Sequence, residues 1–448
     1  MKEGYITVFV SLILGTMLPL YFLLFENAVN AATAVEANCI SDFATESIMA
    51  EYSVEMLDKY DLFAIDTSYG TETPSLGRTK AHLNNYLDLN TSINAYHRNL
   101  LSFFNITGIR NTYAETTGVT YLTDDDGKVF RDLAVKAVED EINISLFYKI
   151  YDLMTHWGEY EERGEKTKFA GEIKEIGTDE IPEEIKTLIK DSPEEINPSW
   201  LFSLITNGAG VSGKSINKDA TLSSREAAGL INMGNSDNEN SVKSKKDATG
   251  LYEKFMLGEF FVRHMSDYTS KDSSGALRYE IEYIISGKGS DEENLKSVVY
   301  RIFLVREGLN IAKFENDEKK CAEAEALATA LSMAVLNPEL APVLKHGILV
   351  LWATKESRDD MEKLLNGEKA DYPGDIKLDY KDHLRALLLM TPVRKETWRG
   401  MDMMEANMRV SNPGFRLDGC ITEMEAKMIY ENRFREEFVI DMRKSYEK

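Results

Sequence analysis

Charge is absent from residues 5–25 (YITVFVSLILGTMLPLYFLLF), which are apolar on every helical face. About 20 such residues, rising ~1.5 Å each, cross the ~30 Å hydrocarbon layer of a bilayer. Residues 26–57 continue without Pro or Gly but turn Ala-rich and acidic. The pattern predicts one helix over residues 5–57, membrane-bound in its first half and amphipathic in its second. Ile40, Phe43, Ser47, Ala50, Val54 and Leu57 recur at 3-4-3-4-3 spacing and predict its packing seam. Ala28, Ala31, Ala32, Ala34 and Ala37 keep the helix thin for close approach. Pro19 predicts a kink, since it removes a backbone hydrogen bond.

Further on, residues 62–65 predict a short strand or docking segment, residues 79–104 a helix, and residues 118–122 a strand closed by the turn Asp124-Asp125-Asp126-Gly127. Helical spacing returns over residues 129–154 and 251–268. Leu277, Tyr279, Ile281, Tyr283 and Ile285 alternate with Arg278, Glu280 and Glu282, which predicts a strand with one solvated face. Ser290 and Glu293 have capping-box spacing before a helix whose face is Leu295, Val298, Val299, Ile302 and Val305. Helices follow at 319–336, 339–365, 379–390 and 397–408. Met424, Ala426, Met428 and Tyr430 alternate with charged residues and predict a second strand.

The fold class is α+β: a long transmembrane and stalk helix, then a helix-rich body with a mixed or antiparallel sheet. The expected divisions are a leader and membrane helix (1–25), a stalk (26–58), a first α+β segment (59–157), a charged and Gly/Ser/Asn-rich insertion or linker (158–249), and a helix-rich α+β segment (250–448).

The net charge of −23 repels a phosphate backbone, so nucleic acid is not an expected partner. The expected partners are the lipid bilayer, through residues 5–25, and proteins, through the stalk helix. Lys2 precedes the span and no Lys or Arg follows until Lys59, while Glu26, Glu36 and Asp42 do. That asymmetry places the N-terminus in the cytoplasm and the bulk of the chain outside the cell membrane. A cleaved signal peptide, cut near Val29-Asn30-Ala31, is the alternative, but its apolar region is normally shorter. Cys39, Cys321 and Cys420 form no CxxC; free thiols and a Cys321–Cys420 disulfide both stay open.

A short polar leader, Gly4, an apolar helix and an amphipathic continuation resemble the plan of pilins and pseudopilins. KEGYITVFVSLIL is similar to the start of tight-adherence (Tad/Flp) pilus-associated proteins of Gram-positive bacteria. Type IV pilins usually carry Glu at the fifth residue after Gly4, where this chain has Phe9. YEIEYIISGKGSDEENL, ILVLWATKESRDDMEKLLNGEK, DYKDHLRALLLMTP and LSSREAAG resemble blocks of an uncharacterised domain in those proteins. The resemblance implies a bitopic membrane protein working with a tight-adherence pilus or secretion apparatus. It brings no catalytic, cofactor or metal residues.

One run has the spelling of a chemical motif. Residues 208–215 (GAGVSGKS) fit G-x4-G-K-[ST], in which backbone N–H groups wrap phosphate, Lys reaches its oxygens and Ser holds magnesium. An apolar run, residues 201–205, stands where the preceding strand would be, but no helical stripe follows. The same residues also satisfy G-x-G-x-x-G, so the run reads as a Gly-rich linker. His82, His97, His156, His264, His346 and His383 lack metal-ligand spacing, and GxSxG is absent. Asp124 to Asp126 lack the rest of a calcium loop. Trp157, Trp200, Trp352 and Trp398 are expected in the core.

The reading is a non-enzymatic, membrane-anchored extracytoplasmic accessory protein, pseudopilin-like, with no catalytic, cofactor or metal site and no cofactor. A tethered ligand-binding or enzymatic ectodomain is the second reading, and a P-loop NTPase the third.

Overall fold

The computed structural model describes residues 2–71, 73–91, 106–141, 143–165, 197–206, 211–231, 250–270, 274–334, 336–374 and 376–446. In chain order the elements are α1 (Lys2–Met49), α2 (Val54–Tyr60), β1 (Ile65–Asp66), α3 (Leu76–Thr91), β2 (Arg110–Tyr121), α4 (Asp124–Val138), α5 (Ile144–Glu165), α6 (Pro198–Thr206), α7 (Leu222–Ala227) and α8 (Leu251–His264). There follow α9 (Glu280–Ser286), α10 (Asp291–Glu315), α11 (Glu318–Ala334), α12 (Ala341–Leu365), β3 (Ala370–Tyr372), β4 (Ile376–Leu378), α13 (Tyr380–Met390), α14 (Val393–Ser411), β5 (Cys420–Glu431) and β6 (Glu437–Ser445). They form two compact units, one of residues 1–133, 231–245 and 411–448, the other of residues 134–230 and 246–410.

The first unit is built on β5. Its length pairs antiparallel with β2 on one side and with β6 on the other, and its start pairs with β1. Met424, Ala426, Met428 and Tyr430 face inward, as their alternation predicted, and share a core with α1 and α3. The left-handed Asp125, Asp126 and Gly127 make the expected turn after β2.

α1 holds its helix through Pro19 for 48 residues, roughly 70 Å at ~1.5 Å each. Its most apolar 18-residue stretch, within Tyr5–Met49, has a mean hydropathy of 2.3 and no buried residue, so the helix is long and apolar enough to cross a membrane. The second half lies on the sheet through Val29, Thr33, Ala37, Ile40, Ser41, Ala44, Thr45 and Ile48, all buried. The Ser41 and Tyr430 hydroxyls share a 2.7 Å hydrogen bond, and Lys444 donates to Asp42 and Glu46 at 2.6 and 3.1 Å.

Two expectations for this helix need correcting. It stops at Met49 rather than reaching residue 57, because Ser53 caps a separate helix, accepting from the Met56 N–H at 3.3 Å. The seam is also in another phase. Ile40 is buried, but Phe43 and Val54 are 62% and 61% exposed. The covered face mixes small residues, Ala37, Ser41 and Ala44, with Ile40 and Ile48, and Phe43 falls outside it.

The second unit is helical, with the β3–β4 hairpin at its side. α5 and α10 cross in backbone contact: a Cβ on Gly308 would lie 2.0 Å from the Tyr160 carbonyl oxygen, and one on Gly164 2.2 Å from that of Leu304. Leu295, Val298, Val299, Ile302 and Val305 are buried as predicted, and Ser290 caps α10. Trp157 and Trp398 are buried, whereas Trp200 and Trp352 are only partly so.

A strand expected here is a helix. Residues 280–286 form α9, where Glu280 and Glu282 are buried with their apolar neighbours, so the alternation marks no solvent face. Residues 201–205 lie in α6. α5 runs on to Glu165, past the division expected at 157. The cysteines are free.

Candidate functional site

The described part of the GAGVSGKS run, residues 211–215, makes its contacts within the chain. Gly208 and Gly210 lie outside the described residues. Ahead of the run stands helix α6 in place of a strand, and after it Ser215 bridges to Ser290 and only a short 3-10 turn follows, at Lys218–Ala220. Lys214 Nζ donates to the Gly275 carbonyl at 2.6 Å, so its charge serves a loop. Of the expected linker, residues 158–165 continue α5, residues 197–206 contain α6, and residues 211–231 are docked rather than loose. Ser223 donates to Asp402 through its N–H and its hydroxyl, each at 2.7 Å, and Arg225 holds Glu405 in a fork at 2.8 and 2.6 Å. The LSSREAAG block is thus a clamp onto α14. The remaining linker residues, 166–196, 207–210 and 232–249, lie outside the described residues.

Buried carboxylates repeat that role along the loop between α8 and α10. Glu280 accepts from the Ser266 N–H at 2.8 Å, Glu282 from the Tyr268 N–H at 2.9 Å, and Asp291 from the Arg278 and Tyr279 N–H groups at 3.0 and 3.1 Å. Each acid satisfies backbone donors that no helix or strand serves. Burial, followed by the neighbouring Asp267, pushes the Glu282 carboxyl up to about 8. Tyr380 donates to its Oε1 at 2.8 Å, while Oε2 has no partner. Glu307, which accepts from Thr354 at 2.7 Å, is pushed up by burial to about 7. Burial and then Arg306 push His383 down to about 4, and its Nδ1 lies 2.7 Å from the Asp379 carbonyl oxygen. Near pH 7 Glu282 and His383 are held mainly neutral, while Glu307 is close to its midpoint.

Among the described residues of this unit lies a groove of about 370 Å³. Phe255, Glu259, Val262 and Arg263 present one face of α8, and Lys381 and Arg385 one face of α13. Leu146 of α5 and Val138 complete an apolar wall. Glu259 and Arg385 pair across the floor at 2.6 Å, and Lys381 lies 3.3 Å from buried Asp267. The groove is of a size that small ligands occupy, with apolar walls and a few polar groups. Both helical faces can be read from spacing; that they meet cannot.

The histidines are dispersed. His82 lies 3.0 Å from Glu51 and against Tyr69, His264 stacks on Phe260, and His156 and His346 are exposed beside Asp152 and Glu315; His97 lies outside the described residues. Among the described residues, no three His, Cys, Asp or Glu side chains are grouped to hold a metal ion.

No curated protein and no solved structure matches this chain. A family defined by sequence does match, over residues 178–373 and 374–432, which include the clamped loop, much of the groove and all of β5. With more than half of its length so matched, the chain belongs to a family of unknown function, DUF5702.

Proposed function

We propose that this protein is a single-pass, membrane-anchored structural or accessory component working outside the cytoplasm. The observation that carries this is the division of α1. One continuous helix is bare and apolar over its first turns and bolted to a β-sheet over its second half. Such a shaft fixes a folded unit to a bilayer without a flexible linker. The Lys2-before, acids-after asymmetry supports an N-terminus in the cytoplasm. The similarity of KEGYITVFVSLIL to tight-adherence pilus-associated proteins supports a place in such a pilus or in a related secretion apparatus. The buried acids read as scaffolding, which favours a structural over a catalytic role.

The test is a thiol placed at exposed Thr155 in a cysteine-free background. A membrane-impermeant maleimide should label it in intact cells stripped of their wall, and labelling only after lysis would overturn the orientation. Loss of pilus assembly or secretion on deleting the gene, restored by the full chain but not by one lacking residues 5–25, tests the role. A second reading, a tethered ligand-binding ectodomain, is favoured by the groove between α8 and α13. Small-molecule binding abolished by Arg385→Ala would support that reading.

A further inference from the structure

The turn between β5 and β6 stands beside the point where α1 leaves its apolar stretch. Residues 5–25, rising ~1.5 Å each, match the ~30 Å hydrocarbon layer, so Phe25 ends the uncharged run and Glu26 is the first charge after it. Phe434, in the turn, meets Phe25 edge to face with ring centroids 6.3 Å apart. The turn is held firmly at that height. Asn432 is fully buried; its Nδ2 donates to Asn30 Oδ1 of α1 at 2.7 Å, and its Oδ1 accepts from the Phe434 and Glu436 N–H groups at 2.8 and 3.0 Å. The Arg433 N–H donates to the Thr107 carbonyl at 2.9 Å, and the Thr107 hydroxyl donates to Glu36 of α1 at 2.6 Å. Above this bolt Arg433, Phe434 and Arg435 are all exposed, Phe434 to 40%. An exposed ring between two cations is the composition of a membrane interface, where the ring enters the acyl boundary and the guanidinium groups stay with the headgroups.

We infer that this turn is a second membrane contact: Phe434 seats in the headgroup layer beside the span, and Arg433 and Arg435 bind the phosphates of anionic lipids. The inference rests on the membrane anchoring proposed above. With residues 5–25 in the bilayer, ring contact with Phe25 puts Phe434 at the edge of the hydrocarbon layer. There its open face loses water, and the arginine stems lie along apolar surface while their planar ends take phosphate oxygens in pairs. The chain as a whole, at net charge −23, is repelled by an anionic surface, so the two arginines mark the part drawn to it. The acids beside the tip lie on its strand side: Glu431 pairs with Arg110 at 3.7 Å, and Glu436 and Glu437 lead into β6. A lone helix can turn and tilt in a bilayer, and a contact off its axis restrains both, so the folded unit is presented in one orientation.

Phe63 supplies a matched control. It is the same residue type, is 41% exposed, and stacks on Tyr446, whose hydroxyl donates to the Met49 carbonyl at the far end of α1. The full chain is reconstituted in vesicles of phosphatidylglycerol and a phosphatidylcholine brominated near its headgroup, and the tryptophan emission of wild type is subtracted. The added emission of Phe434→Trp should be quenched about twofold or more, and that of Phe63→Trp should not be. Adding Arg433→Gln and Arg435→Gln to Phe434→Trp should remove about half of that quenching or more, since each basic side chain near an anionic surface carries about a fivefold preference for it. An unquenched Phe434→Trp chain that stays with the membrane after carbonate washing overturns the contact and leaves the anchor standing. Equal quenching at positions 434 and 63 overturns it too, because the turn would then be no closer to lipid than the far end of the stalk. Quenching unchanged by the two arginine substitutions overturns the assignment to anionic lipid. Release by carbonate refutes the anchor itself, and the contact of the turn with it.

Discussion

Replacing Glu282 with Gln removes a proton-binding site and keeps the side chain's shape. The amide oxygen can accept from the Tyr380 hydroxyl and the Tyr268 N–H, as Oε1 does now at 2.8 and 2.9 Å. The folded carboxyl is lifted from 4.5 to about 8, by burial and then by Asp267. Between those values the folded chain holds a proton that the unfolded chain has lost. The contribution of this group is therefore whole below pH 4.5 and is withdrawn as pH rises towards 8. The loss is about 1.4 kcal/mol per pH unit, accumulating to roughly 3–6 kcal/mol. Glutamine has no such slope. Urea unfolding in a mild non-ionic detergent, followed by tryptophan fluorescence at pH 5, 6, 7 and 8, measures the difference between variant and wild type. Subtraction cancels the other titrating groups, including Glu307 and His383. The difference should move in favour of Gln by about 1.4 kcal/mol per pH unit across this range. A difference that stays constant from pH 5 to pH 8 would mean that Glu282 is ionised in the fold and would refute the reasoning.

Gly308→Ala should destabilise by about 2 kcal/mol or more in thermal unfolding despite alanine's better helix propensity, because the new Cβ would stand 2.0 Å from the Tyr160 carbonyl oxygen; wild-type stability would show that α5 and α10 do not touch there. Ala44→Pro should cost about 3 kcal/mol or more, and Ala44→Glu should also be severe because that position is fully buried on the sheet; the neighbouring Phe43→Glu, at a 62% exposed site, should stay within about 0.5 kcal/mol in the monomer in detergent, and equal effects at 43 and 44 would refute the placement of the buried face. Lys214→Ala should lose one exposed hydrogen bond, worth about 0.5–1 kcal/mol, and neither protein should bind ATP by calorimetry; binding abolished by the substitution would restore the P-loop reading.

The stretches legible in the sequence are those whose burial is one-sided. The bare run of residues 5–25 is apolar all round, and β5 alternates because one face meets a core and the other meets water. Helix α10 was marked by its apolar face and by Ser290. Where the surroundings are buried on every side, period loses its meaning. Glu280 and Glu282 read as the wet face of a strand, but they are interior acids of a helix, retained for the N–H groups of Ser266 and Tyr268. The clamp of Ser223 and Arg225 onto Asp402 and Glu405 joins residues about 180 positions apart, and composition marked that region as a linker. Along α1 the sequence by itself determined that a long helix forms and that its first half is apolar all round. Which side of the stalk is covered was decided by the tertiary structure. Local spacing ranks Phe43 above Ala44, but Ala44 shares with Ile40 and Ile48 the side that packs on the sheet core, and Phe43 falls outside it, because long-range contacts and not spacing set the phase.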